Sequence, residues 1–199
     1  MMKYKILDYS KVRPEISSGD ILLFRPSSTI GRIISALSPS DYCHTERAIV
    51  IHGALCSVGM DWGGGRILPL SHLVHKHPGQ IDWYRASAYA ESQSELILRA
   101  CTFPYGYRTL IRFGITRLVP GIRLPQLTPN LYRFPPVCSQ LIVWLDRQSG
   151  YDSVPGIPDN RVEPWHLAAQ DVRATELHKK LPSPPTGFYM HEGALWPGL

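Results

Sequence analysis

Phe134-Pro135-Pro136-Val137-Cys138-Ser139-Gln140-Leu141-Ile142-Val143-Trp144-Leu145 is where two prolines hand over to an apolar run. Proline is accepted ahead of a helix and in its first turn but not inside one, so this stretch predicts a helix over 138–149. Cys138, Leu141, Ile142 and Leu145 fall at i, i+3, i+4 and i+7, which is one helical face. A thiol in the first turn lies at the positive end of the helix dipole, among N–H groups without intrahelical partners. That setting lowers a thiol pKa and makes a thiolate nucleophile. The alternative is a buried cysteine that packs as a small apolar residue.

A second segment far upstream supplies a partner. Ser18-Gly19-Asp20-Ile21-Leu22-Leu23-Phe24-Arg25 reads as a turn and a short buried strand. Gly31 to Leu37 reads as a short amphipathic helix stopped by Ser38-Pro39-Ser40-Asp41. Tyr42-Cys43-His44-Thr45-Glu46-Arg47-Ala48-Ile49-Val50-Ile51 is a β-branched strand with His44 at its entrance. His52-Gly53 is a turn, Ala54 to Met60 the returning strand, Gly63-Gly64-Gly65 a loop, and Arg66 to Ser71 a further strand. A cysteine at a helix start and a histidine on a strand edge make a thiol–imidazole pair. The imidazole takes the thiol proton and returns it to the leaving group.

These pieces resemble the circularly permuted papain-like cysteine hydrolases of the NlpC type. The likeness rests on Gly19-Asp20-Ile21-Leu22-Leu23-Phe24, on Tyr42-Cys43-His44, and on Gly64-Gly65-Arg66-Ile67-Leu68-Pro69-Leu70-Ser71. It continues through Cys138-Ser139-Gln140-Leu141-Ile142 and Val162-Glu163-Pro164-Trp165-His166-Leu167-Ala168, spanning roughly residues 17–170. The histidine precedes the cysteine, the reverse of papain; such sets are defined by geometry and not by chain order. The resemblance implies Cys138 as nucleophile, His44 as base and peptidoglycan peptides as substrate. It also suggests a phage lytic or tail-associated setting with virion proteins as partners. It places Tyr105, from Tyr105-Gly106-Tyr107, in the cleft; Tyr42 and Ser139, beside the catalytic pair, are further substrate-binding candidates.

The resemblance calls for a third polar residue on the strand after the histidine strand, to orient the imidazole. Ala54-Leu55-Cys56-Ser57-Val58-Gly59-Met60-Asp61 has no Glu, His or Asn at its centre, leaving Ser57 and Asp61 as the candidates. Glu46 shares a strand face with His44, but a short step along one strand is poor geometry for an orienter. Without one, three readings stay open. The first, and the favoured one, is an amidase or endopeptidase cleaving cell-wall peptide amides; the second is a lipid acyltransferase or thioesterase using the same pair, which an apolar groove near 113–137 would favour. The third is an assembly protein that kept the fold and lost the chemistry.

The 199 residues suffice for one sizeable core, and 44% hydrophobic content is ordinary for a globular chain. There is no apolar run long enough to cross a membrane and no signal-peptide core in Met1-Met2-Lys3-Tyr4-Lys5-Ile6-Leu7-Asp8. The expected site of synthesis is therefore the cytoplasm, with a virion or lysis as the way out. Cys43, Cys56, Cys101 and Cys138 form no CxxC pair; the first three read as core residues. His72, His75 and His77 lack a nearby Cys or carboxylate to complete a zinc site and read as an exposed turn before the strand Gln80–Arg85. No metal or cofactor is expected. His166 is the fallback base.

Net charge is +5, and 105–135 is the most basic stretch, with Arg108, Arg112, Arg117, Arg123 and Arg133 interleaved with Tyr105, Tyr107, Phe113 and Tyr132. That pattern can bind single-stranded nucleic acid. A solvated loop and short helix beside the active site is the favoured reading, so nucleic acid is not expected as a partner. Residues 1–16 read as a polar lead-in, 90–118 as helical, and 119–137 as irregular. The organisation is one permuted papain-like hydrolase domain over 1–180 and a Pro/Gly-rich tail over 181–199 without regular structure. The fold class is α+β: a small antiparallel sheet or half-barrel with helices packed on one side.

Overall fold

Ile21-Leu22-Leu23-Phe24 is buried at every position, which an alternating half-exposed strand would not be. A computed structural model, describing residues 5–85, 94–119, 135–158, 161–168 and 188–190, shows why. This strand lies at the middle of a seven-stranded sheet covered on both faces. The strands are β1 (Lys5–Leu7), β2 (Ile21–Phe24), β3 (His44–Ile51), β4 (Ala54–Asp61), β5 (Gly64–Pro69), β6 (Ile81–Tyr84) and β7 (Phe188–Met190). The helices are α1 (Tyr9–Val12), α2 (Thr29–Leu37), α3 (Leu70–Lys76), α4 (Ser94–Ala100), α5 (Tyr107–Leu118) and α6 (Cys138–Gln148).

The sheet order is β1-β7-β6-β2-β3-β4-β5, with β6-β2-β3-β4-β5 antiparallel throughout and β7 parallel to β6. The chain is an α+β fold. The β3–β4 turn is His52-Gly53, both at positive φ (49° and 78°), the geometry that joins twisted antiparallel strands through two residues.

Helices pack on both faces, not on one. Leu141, Ile142 and Leu145 of α6, with Ile97 of α4, cover one face through Leu23, Ile49, Val58 and Met60. Leu70 and Leu73 of α3, with Val12 of α1, cover the other through Leu22, Phe24, Leu55 and Trp83. The second layer arises because Leu70-Ser71, expected as strand, opens α3. His72 and His75 therefore ride on a helix, with His77 as its cap, and not on a turn. Gly64 and Gly65, expected as loop, begin β5. The segment 90–118 is broken into α4 and α5, with Pro104 and Gly106 between them. The lead-in holds β1 and α1, and the tail contributes β7, because Phe188-Tyr189-Met190 follows the Pro/Gly run with residues that favour strands. The expected irregular stretch 119–137 lies mostly outside the described residues. Among the described residues no helix is long and apolar enough to cross a membrane.

Helix α6 is buried from Cys138 through Asp146, so it carries a charge into the core. Asp146 pairs there with Arg47 of β3, both side chains less than 5% exposed. Removing one member of such a pair leaves an unpaired buried charge, a cost of about 3–5 kcal/mol, whereas an apolar replacement of both is often neutral. Asp146→Ala is expected to lose about that much in urea denaturation. Arg47→Met with Asp146→Leu is expected to regain most of it. An unchanged urea midpoint in the single variant would show that this pair does not tie α6 to the sheet.

Candidate active site

The first turn of α6 lacks an ordinary side-chain cap. Its N-cap is Val137, whose side chain cannot accept a hydrogen bond. Gln140 instead reaches back, its Oε1 accepting from the Val137 N–H at 3.1 Å. The backbone N–H groups of Ser139 and of Thr45, at the start of β3, favour the charged form of the Cys138 thiol. The His44 ring and the thiol each stabilise the other's charged form. The helix start and the strand entrance therefore meet at one thiol.

His44 is held from the other side by Glu46, the Nε2–Oε1 distance being 3.0 Å. The geometry expected to be poor is workable because Glu46 crosses the sheet and does not stand up from it. Glu46, Gly59 and Arg66 are register partners on β3, β4 and β5, and paired residues share a face. A Cβ on Gly59 would lie 2.4 Å from Glu46 Cγ. The missing side chain is what lets the carboxylate lie over β4. There Arg66 Nη2 donates to Glu46 Oε1 at 2.7 Å, and Ser57 Oγ to Oε2 at 2.5 Å. Asp61 pairs with Arg66 Nε at 2.6 Å.

Neither Ser57 nor Asp61, the expected orienters, is the residue on the imidazole. Ser57 fixes the orienting carboxylate, and Asp61 fixes the arginine that supports it. The signal for Glu46 was present as a glycine directly across from it, but reading it needs the strand register.

The electrostatics follow from this chain. Burial disfavours the charged form of all three groups. Burial pushes the Glu46 carboxyl up, but His44, Arg66 and Ser57 outweigh it and hold the carboxyl below its ordinary value. Burial pushes His44 down, but the Cys138 thiolate and then Glu46 outweigh it, holding the ring up at about 10. Burial raises Cys138, and the His44 imidazolium with the Ser139 and Thr45 N–H groups overrides it, leaving the thiol pKa lowered. The other cysteines shift the opposite way. Cys43 is pushed up to about 12 by burial and the charge of Cys138, and Cys56 and Cys101 are raised by burial. The arrangement can therefore hold a thiolate–imidazolium pair at Cys138 alone.

An apolar groove of about 220 Å³ opens over the thiol. Ile30, Ile33 and Leu37 of α2 form one wall, and Leu110, Phe113 and Gly114 of α5 the other. Tyr42 and Tyr105 line its inner end. Tyr42 presents its ring, because its buried hydroxyl is engaged with Asp82 and, at 2.7 Å, Tyr84. Tyr105 is followed by Gly106, which packs so closely on the segment before α6 that a Cβ would lie 2.3 Å from the Pro135 carbonyl. Burial and the nearby Cys138 charge raise its phenol, so it stays a proton donor. Ser139 also lines the groove, but its hydroxyl is committed to the Val162 carbonyl at 2.7 Å; it anchors the segment 161–168 to α6. His166, the fallback base, accepts from the Glu163 N–H through Nδ1 at 2.9 Å and caps the turn Pro164–Leu167. Among the described residues no group of three or more His, Cys, Asp or Glu is placed to hold a metal ion.

The pH window of the pair has two edges. It opens as pH rises through the lowered Cys138 value and closes as His44 loses its proton near 10. Iodoacetamide is expected to label Cys138 well below the free-thiol pKa of about 8.5, ahead of the other three cysteines. His44→Ala should move that labelling up to or above the free-thiol range. Glu46→Gln should weaken the imidazolium and so raise the pH at which Cys138 labelling begins, and Gly59→Ala should do the same by displacing the carboxylate. Labelling profiles unmoved by either of the last two would show that Glu46 does not orient the ring. No protein-family model matches this chain, and neither does any curated protein.

Proposed function

We propose that the protein is a thiol acyl hydrolase or acyltransferase that forms an acyl-enzyme at Cys138 and takes an apolar acyl group in the α2–α5 groove. The observation that carries this reading is the direct opening of an almost wholly apolar groove onto a thiol paired with His44 and Glu46.

The thiolate attacks the acyl carbonyl. Negative charge develops on the carbonyl oxygen, where the free N–H groups of the first turn of α6 are suited to receive it; one such donor is typically worth about 2.7–4 kcal/mol of barrier. His44 gives its proton to the leaving oxygen, nitrogen or sulfur, and the C–S acyl bond remains. Neutral His44 then takes a proton from water, or from an acceptor alcohol or amine, which attacks the thioester. Release of the acid or the transferred product restores the thiolate and imidazolium. Glu46 keeps the ring oriented and its protonated form stabilised.

Cleavage of cell-wall peptide amides in a papain-like fold, as the sequence resemblance implies, would use the same three residues. The substrate separates the two readings. Muropeptides carry several carboxylates and amides, and burying them unpaired is costly. The groove walls offer isoleucine, leucine and phenylalanine, with Arg117 already paired to Glu163. A fold that had lost its chemistry was plausible while the imidazole lacked an orienter; Glu46 supports a working set.

p-Nitrophenyl esters from acetate to dodecanoate test the assignment. The expected result is a stoichiometric burst of p-nitrophenolate with an acyl mass adduct on Cys138. The value of kcat/KM should climb by up to about fourfold per methylene until the groove is filled. Cys138→Ala should show no burst, and Phe113→Ser should flatten the chain-length dependence. Turnover of muropeptides with no dependence on acyl length would overturn the substrate assignment.

A further inference from the structure

The rim of the groove is apolar and exposed, and on α5 a second apolar stripe lies outside it. On α2, Ile30 and Ile33 are 48% and 55% exposed although they line the groove. On α5 the stripe Leu110, Phe113, Gly114 and Arg117 faces the groove. One residue step around the helix, about 100°, a second stripe of Ile111, Ile115 and Leu118 is 61%, 40% and 67% exposed, and Val119 continues it. Scattered surface apolar residues need no explanation, but contiguous ones rimmed by charge do.

On the two helices themselves the charge has one sign, Arg117 being paired with Glu163, which also lines the groove. Arg32 on α2 and Arg108, Arg112 and Arg117 on α5 are the only charged residues of the two helices. In the sequence no Asp or Glu occurs between Glu95 and Asp146, while Arg99, Arg108, Arg112, Arg117, Arg123 and Arg133 do. An exposed apolar stripe flanked by arginines, on helices that themselves carry no acid, is the pattern of a helix lying in the interface of an anionic bilayer. A protein partner of ordinary surface composition would not call for that one-sided charge.

We propose that the α2–α5 rim docks on the surface of an anionic lipid bilayer, so that the groove mouth opens into the acyl layer. The inference deepens the acyl reading, on which it rests for its meaning, by naming the bilayer as the source of the acyl group. Docking itself needs no chemistry. Ile33, Ile111, Ile115 and Leu118 would enter the headgroup–acyl boundary, Arg32 and Arg108 would meet lipid phosphates, and an acyl chain would pass to Cys138 without crossing water.

Flotation of the full chain with vesicles tests this. The protein should float with mixed phosphatidylcholine/phosphatidylglycerol vesicles and much less with phosphatidylcholine alone, and raised salt should weaken the binding. Arg108→Glu should lower vesicle affinity at least about fivefold. Ile111→Asn with Leu118→Asn should lower it about tenfold or more. Circular dichroism and selective Cys138 labelling check that these surface variants are folded. Cys138→Ala should float like the parent, so docking is read apart from catalysis. A burst on soluble esters without flotation would overturn the docking and leave the proposed chemistry intact. Flotation insensitive to both surface variants, or self-association of the chain without flotation, would also overturn it.

Discussion

A carboxylate with no solvent exposure, Glu46, is the point on which the site turns. Burying a charge is costly unless it is paired and hydrogen-bonded, and Glu46 meets that demand with three partners drawn from three strands. His44 is on its own strand, Ser57 on β4 and Arg66 on β5. The same contacts that make the buried charge tolerable aim the imidazole at the thiol. Stability and ring orientation are coupled here, because the carboxylate cannot leave the ring without losing part of its own compensation.

That arrangement depends on a void in the sheet. Gly59 leaves the space over β4 through which Glu46 and Arg66 meet. A glycine inside a strand weakens it and often marks a close approach; here what approaches is a side chain. The remaining half of the site is delivered by α6, whose burial along most of its length and whose Asp146–Arg47 pair to β3 fix its axis against the sheet. Cys138 at one end and Asp146 two turns later both address β3. The thiol is therefore located by the packing of a whole helix and not by a loop.

The groove adds a second asymmetry. On the sheet side of Cys138 lie Glu46, Arg66, Ser57 and the backbone donors. On the α2–α5 side lie mainly isoleucine, leucine and phenylalanine, with the Arg117–Glu163 ion pair among them. A reactive carbonyl at the thiol would have its developing charge beside polar donors and its chain among apolar side chains. This is the division of labour expected of a site that binds an apolar group and acts on its polar end.

Much of this was legible in the chain itself. The Pro-Pro-Val-Cys boundary located the start of α6 through the chemistry of proline, and His52-Gly53 located the β3–β4 turn through the need for positive φ. Cys138 and His44 were recognisable from local position, because a helix start and a strand entrance are short-range properties. What the sequence could not decide was whatever depends on which strands are neighbours. Ser57 and Asp61 looked like orienters because they lie on the following strand. Glu46 took that place because Gly59 stands across from it, a fact of register and not of spacing. The second helical layer, the strand Phe188–Met190 beside β6, and the groove between α2 and α5 are likewise products of long-range packing. Tertiary structure chose among locally allowed states at those positions, since burial of a face is settled only when its partner arrives.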